Sequence, residues 1–224
     1  MLDILHDTEI IGVITLTLRM TLLSTFISSA VGIPAGLLLE RSDFAGKRFV
    51  VALNRTLMAS PPVVIGLVVY LLLMRRGPLG FLGLLFTFEA MVVAQVLLLT
   101  PIICGMVYTA ASRNAGRIRA FAQTMGANSR QTHVLTAREL SNEIYFAVVT
   151  GFGRAMSEVG AIMIVGGNIR FHTRTMTTSI SMLRNQGEIN QAIYLGAVLM
   201  LIAFSVTMTT DFLRRREQRT DENF

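Results

Sequence analysis

The sequence predicts an all-α membrane protein: five transmembrane helices with a short amphipathic helix at the cytoplasmic face, in a single domain over residues 1–224. Three observations carry that prediction. Of the 224 residues, 52% are hydrophobic and only 15% are charged, against about 25% charged in soluble domains. The apolar runs between charges approach the roughly 20 residues that cross a hydrocarbon core. Basic residues gather in alternate loops, as they do when one side of a membrane retains them.

Span 1, about 10–39, follows the acidic stretch "MLDILHDTEI", which has no basic region before the apolar run and so does not resemble a signal peptide. Its segment Gly32-Ile-Pro-Ala-Gly36 predicts a kink or a close helix contact. Span 2, about 56–74, lies between Arg55 and Arg75 and carries Pro61–Pro62, which likewise suggests a kink or close packing. Span 3, about 90–112, is bounded by Glu89 and Arg113, and span 5, about 189–211, starts after Glu188. Span 4, about 143–167, would be equally apolar without Arg154 and Glu158. The loop after span 1 holds Arg41, Lys47, Arg48 and Arg55, and the loop after span 3 holds Arg113, Arg117, Arg119, Arg130 and Arg138. The tail adds Arg214, Arg215, Arg216 and Arg219. The other two loops are less basic, so the N-terminus is expected outside and the C-terminus in the cytoplasm. The same distribution explains the net charge of +6 without nucleic acid, because the charges flank spans and no aromatic–basic platform accompanies them.

Catalytic chemistry finds little support. Cys104 is the one cysteine, and His6, His133 and His172 are scattered without ligand-like spacing, so no metal site is expected. Gly46–Lys47 lacks the earlier glycine and the following Ser or Thr of a phosphate-binding loop. The chain is expected to be no enzyme and to hold no cofactor of its own.

The stretch about 115–138 is too polar to span and too patterned to be a linker. Ile118, Phe121, Ala122 and Met125 recur at helical spacing, and Gly126 interrupts the pattern. A short amphipathic helix at the cytoplasmic face is expected, either resting on lipid headgroups or docking its apolar knobs into a partner's groove.

Span 4 carries the strongest anomaly. A charge at the centre of a spanning helix costs about 2.5–3.5 kcal/mol on insertion scales, and residues 154 and 158 are one helical turn apart and share a face. Gly153, Ser157 and Ala161 form an adjacent stripe of small residues that would let another helix approach closely. The charged pair is therefore expected to face the protein interior. Either Arg154 and Glu158 neutralise each other or neighbouring helices and lock the bundle, or they line or gate a path, with Arg154 supplying positive charge. Gly166, Gly167 and Asn168 supply a flexible turn at the outer end, where Asn168 joins the candidate gate. In the polar stretch 170–188, Met176, Ile180 and Leu183 suit one face of a short helix, in a plain external loop or in an outer gate.

"RAFAQTMGA" at 119–127 resembles the coupling motif of ATP-binding-cassette importer permeases, with Ala120, Phe121 and Ala122 aligned to its Glu-Ala-Ala and Gly126 to its glycine. Arg138–Glu139 stands where that motif usually continues with Leu-Pro. "GFGRAMSEVGAIMIVGGNI" at 151–169 and "TRTMTTSI" at 173–180 resemble permeases for molybdate, tungstate and sulfate, the tungstate type most of all. The resemblance implies a homodimer of permease subunits in a prokaryotic inner membrane. It also implies two ATPase subunits below, which bind ATP and Mg, and an extracytoplasmic oxyanion-binding protein above. Ile118, Ala120, Phe121, Ala122, Met125 and Gly126 would then contact the ATPase. Permeases for molybdate or sulfate stay open as alternatives, as do an ATP-independent secondary transporter and a membrane enzyme or scaffold. Co-purification with an ATPase separates the first group from the others.

Overall fold

A computed structural model describes residues 8–221, with side-chain surroundings at all of these except 8, 115, 129, 130, 133, 211 and 213–221. Residues 1–7, with His6, and the side chains of Arg130, His133, Arg214, Arg215, Arg216 and Arg219 lie outside the described residues. Nine α-helices occur among the described residues: α1 (Thr8–Arg41), α2 (Lys47–Met58), α3 (Pro62–Leu73), α4 (Phe88–Thr124), α5 (Ser129–Glu139), α6 (Ser141–Met156), α7 (Gly160–Gly166), α8 (Met176–Asn185) and α9 (Ile189–Asp221). Three stretches are long and apolar enough to cross a membrane, Glu9–Arg41, Phe88–Asn114 and Ile189–Thr210; the number is up to five if the bent pairs α2–α3 and α6–α7 each count as one span.

The bundle is organised by α1 and α4, which run parallel in one register. Met20 shares a buried cluster with Met91, and the Ser24 hydroxyl donates to Gln95 Oε1 at 2.6 Å. A Cβ added at Gly32 would lie 3.1 Å from Ile103 Cβ, and one at Gly36 would lie 2.6 Å from the Cys104 carbonyl. Small residues thus recur every fourth position, at Ser24, Ser28, Gly32 and Gly36, and let the two backbones approach. Of the two readings of the Gly32–Gly36 segment, close packing is what the geometry shows; α1 continues through Pro34 to Arg41. Helix α9 packs chiefly against α8, and Val13 of α1 joins Met176 and Leu195 in one cluster.

Span 2 departs from a continuous helix at Pro61–Pro62, where the sequence suggests a kink or close packing. Helices α2 and α3 meet at 102°. Neither Pro61 nor Pro62 has an N–H to donate back into α2, and a proline disfavours helical backbone at the residue before it. Pro62 then serves as the first residue of α3, where a missing N–H costs nothing. Helix α2 has no buried residue. The 12 residues of α3 rise only about 18 Å at 1.5 Å per residue.

Span 4 also departs. Helix α6 stops at Met156 and α7 starts at Gly160, the two bent by 58°. No proline causes this break. The compensating partners come from other helices and are described next.

Candidate functional site

Breaking a helix in apolar surroundings frees carbonyls at one end and N–H groups at the other, and each must find a partner. Gln95 on α4 is fully buried and donates its side-chain N–H to the Ala155 carbonyl at 2.9 Å, while accepting from Ser24 on α1. One amide thereby ties α1, α4 and the end of α6 together. Glu158, 6% exposed, accepts the Ala161 N–H at 3.0 Å and so caps the first turn of α7. The Glu158 backbone carbonyl accepts from the Thr177 hydroxyl of α8 at 2.8 Å. The Met176 N–H donates to Thr17 on α1 at 2.9 Å, anchoring the start of α8.

These bonds correct the expected Arg154–Glu158 pair. The shared helix face does not exist, because α6 ends between the two residues. Among the described residues no ion pair joins them. Arg154 lies in the last turn of α6, on the exposed side, where the negative end of the helix dipole favours a cation. Glu158 lies past the break and is occupied as a cap. The small-residue stripe is corrected with it. Gly153 and Ser157 are exposed, and a Cβ at Gly153 would meet nothing within 4 Å. Ala161 is the member that packs tightly: a Cβ at Gly66 on α3 would lie 2.6 Å from Ala161 Cα. Helices α3 and α7 run parallel here, since Gly160 meets Val63 at their starts and Val165 joins Val69 and Leu73 at their far ends.

The carboxylate's role as an acceptor predicts how substitutions behave. Glu158→Gln keeps an amide oxygen for the Ala161 N–H and is expected to melt within a few degrees of wild type. Glu158→Ala removes the cap and is expected to destabilise by about 1 kcal/mol or more. Thermal melts of the detergent-purified chain check both; equal losses would assign the effect to charge and not to capping.

The C-terminal end of α7 is a tight turn. Gly167 and Asn168 both have positive φ, 71° and 52°, and the Phe86 ring sits where a Gly167 side chain would be. Asn168 Oδ1 is buried without a hydrogen-bond partner. Thr173 donates to the Gly166 carbonyl and accepts the Ile169 N–H, closing the turn. Helix α8 follows, capped by Thr175 and Thr178. Its residues Met176, Ile180 and Leu183 share one apolar cluster, as their spacing predicts.

At residues 115–125 the expected separate helix is instead the extension of α4, which runs unbroken to Thr124. The ten residues past Asn114, the end of its apolar stretch, project about 15 Å further at 1.5 Å per residue. Ala122 is buried, Ile118 half-buried and Ala120 exposed, and Phe121 and Met125 are 61% and 74% exposed. Gly126, at φ 72°, turns the chain, with the Ala127 N–H bonded to the Ala122 carbonyl at 3.0 Å. Helix α5 then begins from an Asn128/Gln131 capping box. Arg119 pairs with Glu40, and Lys47 donates to the Glu40 carbonyl at 2.9 Å, so the ends of α1 and α4 are fastened together.

Sequence reasoning missed the Gln95 lock and the Gly66–Ala161 contact. Gln95 had a signal, as an amide alone in an apolar run. Gly66 had none, since its partner is nearly a hundred positions away. Among the described residues no group of three or more His, Cys, Asp or Glu side chains could hold a metal ion.

A family model described as "Binding-protein-dependent transport system inner membrane component" matches residues 32–217. The chain is 44% identical over 200 residues to the tungstate uptake system permease protein TupB of Peptoclostridium acidaminophilum, covering 89% of this chain and 88% of that one. It is 37% identical over 207 residues to a probable anion ABC transporter permease protein of Haloferax volcanii, covering 90% and 89%. The corresponding tungstate permease protein of Campylobacter jejuni is 36% identical over 173 residues, covering 77% and 72%.

Proposed function

The chain belongs to the binding-protein-dependent transport inner-membrane component family, and from that premise we propose that it is the membrane-spanning permease subunit of an ATP-binding-cassette importer for tungstate. The observation that carries this reading is the similarity to a tungstate uptake permease over nearly the whole of both chains. In the proposed assembly two copies of this chain face each other in a prokaryotic inner membrane, N-termini outside and C-termini in the cytoplasm. Two ATPase subunits dock below and bind ATP and Mg; this chain binds neither. A soluble binding protein delivers the oxyanion from outside.

The geometry supports a division of labour along the chain. Exposed Phe121 and Met125, on an extension of a helix packed along α1, form a lever that an ATPase subunit can grip. Closure of the ATPase dimer would draw two such levers together and turn the path from inward- to outward-facing, a rigid-body switch biased by ATP. The exposed face of α6 at its break, with Gly153, Arg154 and Ser157, is the surface we assign to the path, Arg154 supplying positive charge to a dianion in transit. Asn168 stands at the outer end of the same broken span.

The reading is tested by expressing the chain with the ATPase and binding-protein subunits encoded beside it and measuring ATP-dependent uptake into proteoliposomes. Tungstate uptake is expected, with molybdate competing more weakly. Equal or stronger uptake of molybdate or sulfate would move the substrate assignment, and concentrative uptake by this chain alone would overturn the importer reading.

A further inference from the structure

Away from the broken helix and the cytoplasmic lever, one cavity combines charge with an apolar wall. It has a volume of about 420 Å³ and opens between the first turns of α1, helix α8 and the start of α9. Its lining mixes charged and polar side chains, among them Arg170, Arg174, Ser179 and Gln191, with apolar ones such as Val13 and Leu195. Both guanidiniums reach a single carboxylate: Arg170 Nε donates to Glu9 Oε2 at 2.9 Å and Arg174 Nη1 to Glu9 Oε1 at 2.8 Å. Just behind this lining two donors, Arg174 Nε and the hydroxyl of Ser179, a residue only 5% exposed, are buried with no hydrogen-bond partner. Leaving such groups unmet costs free energy that an acceptor would recover.

We propose that this cavity binds a tetrahedral oxyanion group, carried either by an anionic phospholipid headgroup or free in solution, on Arg170, Arg174 and Ser179. A planar guanidinium presents paired N–H donors that match oxyanion geometry, and the described lining carries two guanidiniums and one carboxylate. Glu9 holds both arginines in position and competes with the incoming oxyanion for them. The depth suits a headgroup, because Glu9 and Leu195 lie within the first two turns of apolar helices. The inference does not depend on which oxyanion the chain transports.

The competing role of Glu9 gives the test a sign. The full chain, stripped of lipid in detergent, is titrated with phosphatidylglycerol, with phosphatidylcholine as the zwitterionic control, and separately with sodium tungstate and sodium phosphate without lipid. Binding is read by native mass spectrometry for lipids and by equilibrium dialysis for the free anions. Arg174→Gln is expected to weaken binding by about tenfold and Ser179→Ala by a smaller factor, whereas Glu9→Gln tightens it. Retention of phosphatidylglycerol alone identifies a headgroup site; binding of the free anions without lipid identifies a soluble oxyanion. If Arg174→Gln does not fold, Ser179→Ala carries the test, since it removes one hydroxyl and no packing. The proposal is overturned if no probe binds, if Arg174→Gln and Ser179→Ala bind as wild type does, or if Glu9→Gln weakens binding as a purely structural ion pair would.

Discussion

Gly66→Ala is expected to destabilise this protein severely, while Gly153→Ala leaves it as stable as wild type or more so. Both glycines lie in helices, and both substitutions gain up to about 1 kcal/mol of helix propensity. At Gly153 nothing lies within 4 Å of the new methyl, so that gain stands. At Gly66 the methyl would sit 2.6 Å from Ala161 Cα and 3.1 Å from the Ala161 carbonyl oxygen. Those are backbone atoms and cannot rotate away, so α3 and α7 must separate. Overpacking of this kind typically costs about 1–3 kcal/mol and more where the backbone must move. Melting temperature and membrane-inserted yield check the pair. If Gly153→Ala proved the more damaging, the small-residue stripe on α6 would be the packing face after all, made with a second copy and not within one chain.

The second large effect is expected at the cytoplasmic lever. Phe121→Asp combined with Met125→Asp is expected to leave the folded chain intact, because both side chains are mostly exposed. It is expected to abolish ATP-driven uptake and co-purification with the ATPase. Burying one such side chain stabilises by about 1.5–3 kcal/mol, so losing two weakens docking by about a hundredfold or more. Ala122→Leu is the informative contrast. Ala122 is buried against the chain's own helices, so its enlargement is expected to lower the melting temperature as well as uptake. Full uptake by the double aspartate variant would show that the exposed tip does not grip the ATPase, and attention would shift to α5.

Much of the architecture was legible because short-range rules suffice for it. Pro61–Pro62 announced an interruption, since proline's missing N–H acts within one turn. Gly126 marked the end of α4 for a similarly local reason, its positive φ. The spacing of Met176, Ile180 and Leu183 predicted a helix face that the structure places in a buried cluster. The error at 115–125 was one of continuity: helical spacing was read correctly, but nothing in those residues says that α4 does not stop first. The error at 154–158 was deeper. Unbroken helical periodicity was assumed where the sequence contains no proline, and the charged pair followed from that assumption.

Composition and patterning alone therefore determined the membrane character, the order of the apolar segments, the turn at Gly126 and the motifs that resemble oxyanion permeases, because each depends on hydrophobic length or on residues within a turn of one another. Only the tertiary structure decided what Glu158 is for. Its helix breaks because Gln95, Thr177 and the Glu158 carboxylate itself, brought together from three parts of the chain, satisfy the backbone groups that the break exposes. A helix end in apolar surroundings is stable only when such partners exist, and a partner sixty positions away along the chain leaves no local trace in sequence.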